Sequence, residues 1–130
     1  MRLHIDVLGW LHLVWGLFGV LTGVSLLLLG AGTRAALTPD TFGLGEQAAV
    51  WLLLVAGATL FVAGLAHAAT GWWLRRLVGR SRHLALGLAV PALMLVPFGT
   101  ALGIYTFWVL LNDEARRQFG HAPRAVHPVP

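Results

Sequence analysis

Apolar residues along the chain fall into three long stretches without a formal charge, at residues 7–33, 47–74 and 83–112. A helix needs about 20 apolar residues to cross the hydrocarbon of a bilayer, so each stretch reaches or exceeds that requirement. A water-soluble domain of this size could not bury so much apolar surface. The pattern therefore predicts an all-α membrane protein.

The third stretch needs a break, because roughly 30 residues in one straight helix would extend about 45 Å, well beyond the thickness of the hydrocarbon. Residues 96–100 (VPFGT) contain Pro97 and Gly99, and these two residue types are the strongest local helix breakers. We therefore predict a turn here and a hairpin of two short helices around it.

The predicted fold is a four-transmembrane-helix up-down bundle over residues 1–119, with a short helix 3/helix 4 hairpin. Helix 1 is expected to end at the breaker sequence Gly30-Ala31-Gly32. The proline-rich residues 120–130 are expected to form a flexible cytoplasmic tail. The predicted helices cover about 7–29, 48–74, 82–96 and 100–119.

Charge placement predicts the orientation of the bundle. The chain is 58% hydrophobic and 11% charged, and its net charge of +4 comes from nine arginines, placed mostly at the ends of apolar stretches, against five acidic residues. With four spans, every arginine except Arg34 lies on one side, and the excess of basic residues marks the cytoplasmic side. A three-span fold would move the C-terminal arginines outside. We expect a multi-pass protein of the bacterial inner (cell) membrane with both termini cytoplasmic, and no nucleic-acid partner.

Glycines recur every seven residues along the first two predicted helices. A seven-residue repeat keeps one stripe of a helix facing its partner, and glycine on that stripe lets two backbones approach closely. The spacing predicts that helices 1 and 2 pack through these stripes. The helix-packing glycines are Gly9, Gly16, Gly23, Gly57, Gly64 and Gly71.

Two histidines lie within those stripes, in segments of the common form G-x-x-H-x-x-x-G around His12 and His67. In an up-down pair the two side chains are expected at similar depth, and ionisable groups inside a membrane suggest a functional site. Opposed imidazoles on glycine-flanked helices suit a b-type haem. The alternative is that both histidines are structural and hydrogen-bond within the bundle.

The loop between helices 2 and 3 is the most basic part of the chain. Its arginines are expected to face the membrane surface and to contact anionic lipid, although topology alone also places them there. They are Arg75, Arg76, Arg80 and Arg82.

The segment PFGTALGIYTFWVLLNDEARRQF, residues 97–119, resembles the closing segment of uncharacterised small bacterial four-helix integral membrane proteins. The segment GWLHLVWGLFG is similar to their opening helix, and the arginine-rich loop before the last hairpin also fits. The resemblance implies a four-helix membrane protein of unknown function and assigns no site residues.

We find no candidate catalytic group in the sequence, which lacks cysteine, and so do not expect an enzyme. A divalent metal could also use His12 and His67, but two nitrogens without carboxylate or thiolate support make a poor metal site, so we assign none. The leading hypothesis is a membrane protein that acts through helix–helix or lipid interactions, as an accessory subunit or small homo-oligomer. One alternative is an electron-transfer or sensor protein that holds haem b between His12 and His67. Another is an oligomeric pore or carrier, which the scarcity of polar residues at membrane depth disfavours.

Overall fold

The computed structural model describes residues 1–36 and 43–120, and these residues form helices without a strand. The all-α class is therefore confirmed. Within the described residues, α1 and α2 are the helices long and apolar enough to cross a membrane. The helices are α1 (Arg2–Ala36), α2 (Leu44–Arg75), α3 (Gly79–Ala92), α4 (Phe98–Leu111) and α5 (Asp113–Gln118).

Helix α1 is longer than predicted because it continues through Gly30, Ala31 and Gly32. Glycine in a helix costs about 1 kcal/mol relative to alanine, a penalty that packing can outweigh. Gly30 is buried and packs against the side chains of Leu53 and Leu54, where a Cβ would lie 3.2 Å from the Leu53 Cβ. Gly30 continues the seven-residue spacing of Gly16 and Gly23, and this close contact between the helices offsets the cost of glycine within the helix.

Helix α3 ends at Ala92, four residues before the predicted end. Beyond Pro91 the backbone tightens, because Met94 N–H donates to the Pro91 carbonyl (3.2 Å) and Leu95 N–H donates to that of Ala92 (2.9 Å). These bonds span three residues rather than four, as in a 3₁₀ turn. The turn predicted near Pro97 is present, and it begins earlier than expected.

The predicted helix over residues 100–119 is two helices, because Asn112 adopts an extended backbone conformation between them. Its side-chain Oδ1 accepts a hydrogen bond from Glu114 N–H at 2.9 Å and so caps α5. Acidic residues begin α5 and arginines end it, which suits the helix dipole. The rest of the predicted tail, residues 121–130, lies outside the described residues.

The chain divides into two compact units, which we treat separately. The core unit comprises Met1–Leu13 and Ala69–Pro130, described as far as residue 120. The seam unit comprises Val14–Ala68, so α1 and α2 each contribute one part to either unit.

In the core unit, α4 packs against α3 along one wide face. The two helices are antiparallel and close: a Cβ on Gly103 would lie 3.0 Å from the Ala89 carbonyl oxygen, and one on Gly99 would meet the Ala92 carbonyl oxygen. Large side chains from several helices fill the interior around them. The fully buried apolar residues include Ile5, Leu8, Leu74, Ala85, Val109 and Leu110.

In the seam unit, the two helix segments run antiparallel with their glycines against one another. A Cβ on Gly16 would lie 2.6 Å from the Gly64 carbonyl oxygen, and one on Gly23 would lie 2.7 Å from that of Gly57. Such distances are shorter than real Cβ contacts, so only glycine permits this approach. The buried positions recur every seven residues on both segments: Gly16, Gly23 and Gly30 on one, and Val50, Gly57 and Gly64 on the other.

Candidate functional site

A cleft of about 430 Å³ lies in the core unit, between the first turns of α1 and the last turn of α2. Its floor is apolar and its rim carries charges of both signs. The lining residues are Leu3, Ile5, Leu74 and Leu77 on the apolar side, with Arg2, Asp6 and Arg75 among them.

Arg75 is held in this cleft by two neighbours that fix its guanidinium. Its Nε donates to Asp6 Oδ1 at 2.9 Å, and its Cζ lies 4.3 Å from the centroid of the Trp10 ring. A guanidinium carries five N–H donors, so the Nε bond leaves the terminal amino groups for a further acceptor. The arrangement holds a cation in a fixed orientation beside an apolar floor.

The backbone that closes the cleft is in an unusual conformation for leucine. Leu77 has φ 54°, in the left-handed region. The amide of Val78 donates to the Trp73 carbonyl at 3.1 Å, and the amide of Leu77 donates to the Leu74 carbonyl at 3.0 Å. This pair of bonds is a Schellman motif, which most often has glycine at the left-handed position. The sharp stop brings the arginine-rich loop to the end of α2.

The four arginines predicted to face lipid have different surroundings. Arg76 is exposed, with its Cζ 4.6 Å from the centroid of the Trp72 ring, and Arg80 is exposed at the start of α3. Arg82 differs from the prediction, because only 7% of its surface is exposed and its Nε donates to the Leu110 carbonyl at 3.1 Å. A buried cation bound to a carbonyl near the end of α4 joins α3 to α4, and does not face lipid.

His12 is fully buried in the core unit, where its Nε2 lies 3.2 Å from Thr106 Oγ1 on α4. The Thr106 hydroxyl also lies 2.7 Å from the Leu102 carbonyl oxygen, to which it donates. The histidine therefore connects α1 to α4 through a hydroxyl. His67 is buried too, but it belongs to the seam unit.

The glycines flanking these histidines leave no room for a macrocycle, because the facing backbone occupies the space. A Cβ on Gly9 would lie 2.9 Å from the Gly71 carbonyl oxygen, and one on Gly64 would lie 2.5 Å from the Val20 amide nitrogen. The residues therefore do not fit a haem. Among the described residues there is also no cluster of three or more acidic, histidine or cysteine side chains able to hold a metal ion.

The core unit also contains a polar aromatic group that the sequence did not suggest. His4 Nδ1 lies 3.1 Å from the Tyr105 hydroxyl, and the His4 ring meets Trp108 edge-on with centroids 5.4 Å apart. Tyr105 and Trp108 stack on each other, three residues apart on α4. The i, i+3 spacing of the two aromatics was visible in the sequence, but their histidine partner is about 100 residues away.

Several other hydroxyl groups bond to their own helix. Ser25 Oγ donates to the Leu21 carbonyl at 2.9 Å, and Thr59 Oγ1 donates to that of Val55 at 2.8 Å. Hydrogen bonds of this kind satisfy the hydroxyl within its own helix.

The structure thus defines a helical protein with two helices long and apolar enough to span a membrane. Comparison with protein-family models, curated proteins and solved structures finds no match. The resemblance to small bacterial four-helix membrane proteins stays a prediction.

Proposed function

We propose that this chain is an integral membrane protein that acts by binding other membrane components, with anionic lipid held at its arginine-rich end. It acts without catalysis, as an accessory subunit or a small homo-oligomer. The observation that carries the proposal is the cleft of about 430 Å³, whose apolar floor and arginine rim match a phospholipid's glycerol region and phosphate.

The long helices support the membrane setting. Leucine, valine and phenylalanine side chains of α1 and α2 are exposed along much of their length, as expected of helices solvated by lipid. Each helix is also bounded by tryptophans and arginines, at Trp10 and Arg34 on α1 and at Trp51 and Trp72 on α2. The stretches between these residues reach or exceed the roughly 20 residues that cross the hydrocarbon, and aromatic residues favour the headgroup level.

Arginine placement supports the topology. The N-terminus, the loop from Arg75 to Arg82, and the C-terminal residues Arg116, Arg117 and Arg124 carry all arginines but one, whereas the far end of α1 carries only Arg34. The positive-inside rule then puts both termini and the arginine loop in the cytoplasm. In this arrangement α1 and α2 are complete spans of a bacterial inner membrane, and α3 and α4 form the second hairpin of a four-helix bundle.

The chemistry of the cleft selects an anionic headgroup. Arg2 is exposed at the rim, and the contacts of Arg75 with Asp6 and Trp10 fix the direction of its terminal N–H donors. Arginine binds phosphate oxygens with two parallel hydrogen bonds. Asp6 reduces the positive charge of the rim, because it lies 2.9 Å from Arg75. The leucines of the floor can contact the first carbons of an acyl chain.

The test is lipid binding to the purified, detergent-solubilised protein, measured by native mass spectrometry with added phosphatidylglycerol or phosphatidylcholine. We expect a preference for phosphatidylglycerol that falls at least fivefold in Arg2→Gln and Arg75→Gln. Arg34→Gln is the matched control, since Arg34 also lies near a tryptophan ring, at 6.0 Å from Trp51, but in the seam unit. Asp6→Asn is expected to strengthen the binding of phosphatidylglycerol.

Two results would contradict the lipid proposal. One is equal retention of both lipids by the parent protein. The other is an equal loss of phosphatidylglycerol in Arg34→Gln and in the cleft variants, because net charge alone would then explain the effect. Circular dichroism of each variant establishes that the helices are intact.

A further inference from the structure

The turn between α3 and α4 is a highly exposed apolar segment of the core unit. Met94 is 86% exposed, Val96 79% and Phe98 73%. No Asp, Glu, Lys or Arg lies between His83 and Asn112, so the parts of α3 and α4 that adjoin the turn carry no formal charge. An apolar turn of this kind would be unfavourable in water.

Several backbone carbonyls of the turn accept hydrogen bonds from groups of the same hairpin. Leu95 C=O accepts from Gly99 N–H at 2.8 Å and from Thr100 N–H at 3.3 Å, and Pro97 C=O accepts from Ala101 N–H at 3.1 Å. The Thr100 hydroxyl reaches back across the turn and donates to the Leu93 carbonyl at 2.7 Å. Backbone outside a helix is costly in hydrocarbon unless its polar groups bond within the protein, and these bonds provide for the carbonyls of Leu93, Leu95 and Pro97.

The two helices are too short to cross the bilayer. Each has 14 residues, which corresponds to about 21 Å, against about 30 Å of hydrocarbon. Their other ends are basic, with Arg80 and Arg82 in the first turn of α3, and Arg116 and Arg117 in α5 just after α4. The hairpin thus has a charged base and an uncharged tip.

We infer that α3 and α4 form a re-entrant hairpin, which enters the membrane from the arginine-rich side and returns to it. Its tip, residues 93–98, lies among lipid acyl chains in the far leaflet, about 10 Å short of the opposite surface. The partner of the tip is lipid hydrocarbon, because the turn offers apolar side chains and few polar groups for a protein or headgroup to bind. This inference rests on the proposal that α1 and α2 span the membrane.

Single cysteines test the hairpin cleanly, because the native chain contains none. Four positions are used: Val78→Cys in the arginine loop, Gly87→Cys midway along α3, Met94→Cys at the tip, and Gly32→Cys near the far end of α1. At Gly87 and Gly32 an added Cβ would have open space around it, with no heavy atom within 4 Å beyond the adjacent backbone of the same helix, so a cysteine fits there without strain. Each variant is labelled in right-side-out and inside-out membrane vesicles with a membrane-impermeant maleimide.

We expect labelling of Val78→Cys from the cytoplasmic side only and of Gly32→Cys from the outer side only. Met94→Cys should react from neither side, at least tenfold more slowly than either. An environment-sensitive fluorophore attached in detergent at position 94 should, after reconstitution, be quenched strongly by phospholipids brominated along the acyl chain. The same fluorophore at position 87 should be quenched most by lipids brominated at a shallower depth. At position 78 the quenching should be the weakest of the three.

Several results would overturn the inference. Labelling of Met94→Cys from the outer side would show a complete hairpin span, and labelling of both Met94→Cys and Gly87→Cys from the cytoplasmic side would show a hairpin outside the membrane. Protection at position 94 without quenching by brominated lipid would show that protein covers the tip. Failure of the underlying proposal is distinct, because Val78→Cys and Gly32→Cys would then react from the same side.

Discussion

The seam unit and the core unit are held together in different ways. In the seam unit, two helix segments meet backbone to backbone along glycines, and most of their large side chains face outward. In the core unit, glycine contacts are also present, at Gly9 with Gly71 and at Gly99 and Gly103, but buried side chains fill the interior and polar bonds join the elements. Examples of these bonds are His12 with Thr106 and Arg82 with the Leu110 carbonyl.

The difference reflects what each arrangement can use as a source of stability. Apolar burial contributes little between helices in lipid, because the tails are as apolar as leucine, so close van der Waals contact between glycine-lined backbones becomes the main attraction. The core unit contains short helices with exposed ends, and these need directional bonds to define their positions. The seam unit should therefore be sensitive to side-chain volume, and the core unit to the loss of polar groups.

The largest expected effect is that of adding volume to the glycine seam. A Cβ on Gly23 would lie 2.5 Å from the Phe61 amide nitrogen, and one on Gly64 would lie 2.5 Å from that of Val20, so the backbones must separate. We expect Gly23→Val and Gly64→Val each to lower the free energy of unfolding by about 3 kcal/mol. The measurement is loss of helical circular dichroism during titration with SDS in mixed micelles.

Gly32→Val is the matched control for the seam, because a Cβ at that position of α1 would meet no heavy atom within 4 Å beyond the adjacent backbone of the helix. Its stability should change by less than about 0.5 kcal/mol. Equal stability of Gly23→Val and Gly32→Val would show that the glycines are not required for packing.

The next effect is the loss of the buried cation of the core unit. Arg82→Met keeps much of the side-chain volume but leaves the Leu110 carbonyl without its charged donor, so we expect a loss of about 2 kcal/mol. Arg80→Met, at an exposed position two residues earlier, should change stability by less than about 0.5 kcal/mol. The same SDS titration measures both, and an equal effect of the two would contradict a structural role for Arg82.

A smaller effect is expected from the hydroxyl between α1 and α4. Thr106→Val removes the group that lies 3.2 Å from His12 Nε2, and should lower the free energy of unfolding by about 1 kcal/mol. The control is Thr59→Val in the seam unit, where the hydroxyl bonds to its own helix and a change below about 0.5 kcal/mol is expected. If Thr59→Val proved as damaging as Thr106→Val, polar bonds between helices would not distinguish the two units.

The smallest effect has the opposite sign. Leu77 occupies the left-handed region at φ 54°, where an L-residue other than glycine is strained by about 1 kcal/mol. After allowance for lost side-chain contacts in the cleft, Leu77→Gly should raise the thermal unfolding temperature by a few degrees. Val78→Gly is the control and should lower the thermal unfolding temperature, because Val78 has an ordinary φ of −68°. A destabilised Leu77→Gly variant would show that the leucine contacts outweigh the backbone strain.

Some parts of the architecture could be predicted because they depend on composition and spacing along one segment. The all-α class followed from the length of the uncharged stretches, and the turn near Pro97 followed from adjacent helix breakers. The end of α4 was missed, although its signal is local: Asn112 followed by two acidic residues is typical of a helix start.

The candidate site was less accessible to sequence reasoning. The arginine loop was identified as basic, but nothing local separates Arg82, which is buried, from Arg80, which is exposed. The spacing around His12 and His67 matched a cofactor pattern as well as a packing pattern. Only the position of the facing helix shows that its backbone already fills the space beside the glycines that flank the two histidines.

The sequence by itself determined the helical class, the two long apolar helices and the asymmetric placement of arginine, because hydrophobicity, helix breakers and charge act over a few neighbouring residues. The tertiary structure decided which polar groups pair, where α1 ends and how the cleft forms, because these depend on contacts such as Asp6 with Arg75 and His4 with Tyr105. Such contacts join positions about 70 to 100 residues apart, and their energies appear only once the helices have packed.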